Sequence, residues 1–141
     1  MKLEFFENGL ITEMSKKVEV FDNKLAQNVN SMFVILHKHK GIGLAAIQVG
    51  IPIRVIIAEV DNVKLIAINP EFVEKSAEVS EYEEGNLSIP NVKAKITRPA
   101  KIKIKYQNLR GVWQELEASG LLATCIQHEM EQMDGISILK R

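Results

Sequence analysis

Apolar residues recur at helical spacing between residues 22 and 39, where Leu25, Val29, Met32, Phe33 and Leu36 fall on one stripe. Asp22 stands at the N-cap position. His37, Lys38, His39 and Lys40 fill the last turn, where positive charge suits the helix dipole, and Gly41 can take the C′ position. The spacing predicts a helix over 22–39, with both histidines as exposed terminal cations rather than ligands.

The pattern then changes period. From Ile51 to Ala118 the chain is mostly strand. Arg54–Val60 and Lys64–Asn69 flank Asp61-Asn62, a tight-turn signal. The stretch 74–84 is polar, with β character at Val79 and Tyr82. Lys101–Tyr106 alternates strictly, as a half-buried antiparallel strand does. Its lysines are expected to form a solvated face and to block edge pairing. Asn108–Gly111 is a turn, and Val112–Leu116 returns. A second helix is predicted over 119–134, with Ser119 as N-cap, Leu121, Leu122, Cys125, Ile126 and Met133 as its apolar stripe, and Gly135 ending it. Helix, strands and helix in this order predict an α+β fold, mainly antiparallel, packed around the C-terminal helix.

Composition narrows the classes. The 141 residues suit a single domain spanning 1–141. Lys+Arg and Asp+Glu both number 18, so the formal net charge is +0, which argues against bulk capture of nucleic acid or an anionic membrane. One cysteine, Cys125, excludes an internal disulfide and a CxxC zinc site. The first residues carry Glu4, Glu7 and Asn8 within their apolar run, unlike a signal or transit peptide, so a cytoplasmic location is the expectation, with an organelle interior as the alternative.

The second helix contains His128, Glu129 and Gln132 in an HExxQ arrangement. A metal-hydrolase helix reads HExxH: two His four apart grip a metal and the Glu handles protons. Alone, HExxQ is weak. It gains weight beside Gly41-Ile42-Gly43-Leu44-Ala45-Ala46-Ile47-Gln48 and Glu84-Gly85-Asn86-Leu87-Ser88. In order and separation, these segments and Gln127–Gln132 closely resemble the GxGLAAxQ, EGCLS and QHExDH motifs of peptide deformylases. The resemblance runs from about residue 20 to Gly135.

That resemblance implies a metal-dependent hydrolase that removes the formyl group from N-terminal formyl-methionine of new proteins. The family's metal is Fe²⁺, with Zn²⁺, Ni²⁺ or Co²⁺ as substitutes, held by the Cys of the second motif and both His of the third. By position, Glu129 is the acid/base, Gln48 and the Leu87 backbone N–H are the oxyanion donors, and His128 is a retained ligand. The other two ligand positions hold Asn86 and Gln132. Neutral amide oxygens are poor replacements for thiolate and imidazole toward such ions, so no high-affinity metal is expected. The two amides are instead expected to bond each other or a water. Cys125, three residues before His128, could in principle offer a thiolate, but it also continues the apolar stripe.

The expected substrate pocket comprises Gly41, Gly43, Leu44, Tyr82, Glu84, Gly85, Leu121, Thr124 and Cys125, the glycines allowing close approach of a peptide backbone. Core packing explains Leu44 and Leu121 equally well. Three functions follow as expectations: a deformylase-like protein with its reaction lost or strongly impaired, an active deformylase with an unusual metal site, or a peptide-docking module. The implied partner is a formyl-methionyl peptide or nascent-chain N-terminus; oligomeric state is not legible.

Overall fold

Asp22 Oδ1 accepts from the Leu25 N–H at 3.0 Å and starts helix α1 (Asn23–Lys38) where the apolar stripe begins. The structure, a computed structural model, describes residues 1–5 and 13–138. α1 buries Leu25, Val29, Met32, Phe33, Ile35 and Leu36. His37 and His39 lie exposed at its end, and His37 Nε2 sits 2.7 Å from the Glu59 carboxylate.

Seven strands follow: β1 (Gly43–Ala45), β2 (Val55–Val60), β3 (Val63–Lys75), β4 (Val79–Asn86), β5 (Ile89–Pro99), β6 (Lys101–Gln107) and β7 (Trp113–Ser119). A five-stranded antiparallel sheet runs β1-β2-β3-β6-β7, and β4 and β5 form a separate hairpin sheet. Asp61 and Asn62 make the β2–β3 turn with φ of 51° and 67°, the left-handed pair that a two-residue hairpin turn requires.

Strand β2 explains how the core is divided. Ile56 and Ala58 pack with Ile126 and Met133 of the C-terminal helix α2 (Gly120–Met133), while Val55 and Ile57 pack with Val29 and Leu36 of α1. Alternation sends successive side chains to opposite faces, so the two helices cover opposite faces of the sheet. This is why 55–58 is a continuous apolar run.

Several expectations need correction. The polar stretch 74–84 is two elements, since β3 extends to Lys75 and β4 begins at Val79. Strand β5, the short β1 and the 3₁₀ turn Ala46–Val49 were not foreseen. Strand β6 lies between β3 and β7, so its lysines guard no sheet edge. They meet carboxylates across the sheet instead, Lys103 with Glu115 at 3.2 Å and Lys105 with Glu71 at 4.0 Å. Ser119 occupies the N-cap of α2, but its side chain makes no capping bond.

Helix α2 is buried almost all round, from Leu122 through Met130 and again at Gln132 and Met133. Polar Gln127, His128, Glu129 and Gln132 are therefore carried into the interior and must find partners there. Leu121 is the exception to its stripe: it is 37% exposed and faces a cavity rather than the core. No helix among the described residues is long and apolar enough to cross a membrane.

Candidate active site

Three elements meet beneath a cavity of about 680 Å³: the 3₁₀ turn carrying Gln48, the end of β4 carrying Asn86, and α2 carrying His128, Glu129 and Gln132. Their amides form a closed ring. Gln48 Nε2 donates to Asn86 Oδ1 at 3.1 Å, Asn86 Nδ2 donates to Gln132 Oε1 at 2.9 Å, and Gln132 Nε2 donates to Gln48 Oε1 at 2.9 Å. Side bonds occupy much of what remains. Gln48 Oε1 also accepts from the Ala45 N–H at 2.9 Å, and Gln48 Nε2 also donates to Ser88 Oγ at 3.2 Å. Asn86 Oδ1 accepts from the Ser88 N–H at 2.8 Å, and Gln132 Nε2 donates to Glu129 Oε1. An amide has both donors and acceptors, so three of them can close such a ring without leaving a mismatched pair.

A charged network lies beside the ring. Arg98, 3% exposed, grips Glu84 through Nε at 2.7 Å and Nη2 at 2.8 Å, and reaches Glu131 through Nη1 at 2.9 Å. Glu84 Oε1 also lies 2.9 Å from His128 Nδ1. Burial alone would raise the Glu84 carboxyl, but Arg98 and His128 hold it below its ordinary value. Burial opposes charge on His128, yet its bond to Glu84 and the nearby Glu129 raise it. Glu129 has no such rescue: burial pushes its carboxyl up to about 7 despite His128 and Gln132. Burial, then Glu129 and Glu84, push the Cys125 thiol well above its ordinary value, which disfavours a thiolate there.

Of the residues expected at the site, Gly41, Gly43, Gln48, Tyr82, Glu84, Gly85, Asn86, Leu87, Leu121, Thr124, Cys125, His128 and Glu129 line this cavity. Leu44 does not. It is 0% exposed and packs in the α1 cluster, because alternation along β1 turns it to the opposite face from Gly43. Gln132, 1% exposed, sits behind the cavity wall as the ring's inner member. Gln48 is present as expected, but its amide nitrogen is committed to Asn86 and Ser88. Gly43 has a steric reason: a Cβ there would collide with Cys125 Sγ and lie 2.9 Å from Glu129 Oε2. Arg98 and Ser88 were missed. The signal for Arg98 was its place two residues after buried Ile96 on the same strand face.

An α+β scaffold that sets a His-Glu helix under a groove between two strands defines the hydrolase class to which these three motifs point. Comparison makes the assignment specific: the polypeptide deformylase family model matches residues 2–141, and the chain belongs to that family. It is 44% identical over 133 residues to the peptide deformylase of Bartonella tribocorum, covering 89% of this chain and 75% of that protein. It is 44% identical over 131 residues to that of Chromobacterium violaceum, covering 91% and 78%. The crystal structure of peptide deformylase from Thermotoga maritima superposes with a TM-score of 0.95 at 36% identity, covering 99% of this chain and 95% of that one. A Synechococcus elongatus peptide deformylase in complex with actinonin gives 0.93 at 34% identity, covering 99% and 77%.

The family's metal does not fit the residues present. Among the described residues, no three His, Cys, Asp or Glu side chains stand together as a metal-holding group. The Asn86 and Gln132 carbonyl oxygens already accept hydrogen bonds within the ring. A first-row ion would have to break those bonds to gain two neutral oxygen ligands and one imidazole.

Proposed function

We propose that this chain is a deformylase-family protein that keeps the peptide pocket and has lost, or strongly reduced, the metal-dependent hydrolysis of formyl-methionyl peptides. One observation carries the reading. The amides at positions 86 and 132 join Gln48 in a closed ring, so the ligand positions and an oxyanion donor are engaged with each other. Glu129 remains as a buried proton carrier, but without a metal-activated water it has no nucleophile of adequate strength to serve. The pocket wall supports retention of peptide binding, since Tyr82, Leu87, Leu121 and Cys125 surround a space suited to an unbranched apolar side chain.

His128 favours a second reading, a weakly metallated enzyme. Its Nδ1 is oriented by Glu84, the arrangement that prepares Nε2 of a histidine for a metal. Anaerobic reconstitution with Fe²⁺ or Ni²⁺, followed by an assay on a formyl-methionyl peptide, separates the two. The expected result is formate release no faster than from Glu129→Gln. Sustained turnover that Glu129→Gln abolishes would overturn the proposal and establish the second reading.

A further inference from the structure

We propose that Leu3, Glu4 and Phe5 form a strap that positions Gln48 from outside, so that the amide ring loosens when the strap lifts. The inference goes beyond the reading above and holds whether or not the chain hydrolyses formyl peptides.

An acceptor without a local donor is the first argument. The 3₁₀ turn Ala46–Val49 carries Gln48 and ends at Gly50, whose φ is 81°. A carbonyl in such a turn accepts from the N–H three or four residues further on. For Gln48 those residues are Ile51 and Pro52. The Ile51 N–H goes to the Ala46 carbonyl at 3.1 Å, and Pro52 has no N–H to give. Gln48 is 1% exposed, so solvent does not fill the gap. Glu4 does: its backbone N–H donates to the Gln48 carbonyl at 2.7 Å. An unpaired buried carbonyl is unfavourable, so the turn depends on a segment distant from it in sequence.

Anchorage on both sides of that bond is the second argument. Leu3 is buried in the same apolar cluster as Ala46 and Val49. The Glu4 side chain lies over Gly50, with Oε1 3.1 Å from where a Cβ would stand, so glycine there permits the close approach as well as the left-handed turn. Phe5, 64% exposed, lines the cavity. A core side chain, a backbone bond and a cavity-wall side chain thus fall on three successive residues.

Gln48 joins this strap to the ring. Its main chain accepts from Glu4, while its side chain accepts from Ala45 and Gln132 and donates to Asn86 and Ser88. A turn that shifts to find another donor for its carbonyl carries the side-chain amide with it. Hydrogen bonds weaken steeply once lengthened, so a displacement of about 1 Å is enough to separate Gln48 from Asn86 and Gln132.

The test is hydrogen exchange by NMR on the full chain in EDTA, reading the side-chain amides of Gln48, Asn86 and Gln132. The Asn69 amide, which bonds Val18 and Gln107 outside strap and ring, is the internal reference. Glu4→Pro removes the N–H donor; Glu4→Ala keeps it and removes only the side chain. Glu4→Pro is expected to speed exchange of the three ring amides about tenfold and that of Asn69 less than about threefold, with Glu4→Ala below about threefold throughout. General loss of stability would move Asn69 as well. Ring amides unmoved by Glu4→Pro, Asn69 accelerated equally, or Glu4→Ala as damaging as Glu4→Pro would overturn the inference. Should the proline variant fail to fold, the unaltered chain decides. Corrected for intrinsic exchange rates, the Glu4 backbone N–H and the ring amides should then open equally often, within about fivefold. A larger difference would mean that strap and ring move apart, and would overturn it.

Discussion

Opening the amide ring from two sides measures whether it acts as one unit. Asn86→Ala removes the donor to Gln132 Oε1 and the acceptor for the Ser88 N–H, leaving both without those partners. With a buried unsatisfied polar group costing about 1–3 kcal/mol, the variant should lose about 2–4 kcal/mol of stability. Gln132→Ala strips a donor from Glu129 Oε1 and the acceptor from Asn86 Nδ2, and it leaves a void at a position that is 1% exposed. Its cost should be about 3–5 kcal/mol, cavity included. The Asn86–Gln132 bond is lost in both single variants but only once in the double, so the costs should fall short of additive by about 1–2 kcal/mol. Urea denaturation in EDTA, with the slope checked for constancy, gives the three values. Asn69→Ala with Gln132→Ala is the control, because Asn69 bonds Val18 and Gln107 and shares no partner with the ring. That pair should add within about 0.5 kcal/mol. Equal additivity for both pairs would refute a closed ring.

Other perturbations probe the surroundings. Arg98→Met should cost about 3–5 kcal/mol by chemical denaturation, because it takes the guanidinium from buried Glu84, leaving only His128 beside that carboxylate. Stability should also fall as pH rises from about 5 to 8. The Glu129 carboxyl titrates at about 7 in the folded chain against an ordinary 4.5, so its contribution is complete below 4.5 and is lost as pH rises through 7, on the order of 3 kcal/mol. His128, also raised, adds to the loss above 6.5, whereas Glu84, lowered, contributes above 4.5 and loses stability only in more acid solution. Urea midpoints across that range should decline, and Glu129→Gln should flatten the decline; a rise toward pH 8 would contradict the assignment. Gly43→Ala should destabilise by about 1–3 kcal/mol through overpacking against Cys125. Adding Cys125→Ala should restore part of the loss, and an unchanged thermal midpoint in the double variant would count against that contact.

Helix α1 was legible because its apolar stripe and flanking cap agree: 22–39 was expected and Asn23–Lys38 forms, with Asp22 bonding Leu25 as an N-cap should. The Asp61-Asn62 turn was legible because few residues accept left-handed backbone twice in succession. Strand β5 was not, since its burial alternates weakly and Asn91, with φ of 66°, interrupts the regular strand. Most of the site emerged from three motifs, yet Leu44 was left open between pocket and core, because a motif does not say which face of a strand a residue takes; the structure puts it in the core. Asn86 and Gln132 could be recognised as poor metal ligands from their chemistry alone. That Gln48 would close the ring could not, because it depends on the orientation of three amides on three separate elements.

The central claim is that the ring has taken the place of a metal, and equilibrium dialysis against Ni²⁺ with metal quantified by mass spectrometry tests it most directly. The unaltered chain should retain no more metal than a His128→Ala control at micromolar free Ni²⁺. Asn86→Cys with Gln132→His should retain about one ion per chain, because His128 and its Glu84 support are already in position. Stoichiometric Ni²⁺ on the unaltered chain, lost in the His128→Ala control, would contradict the account.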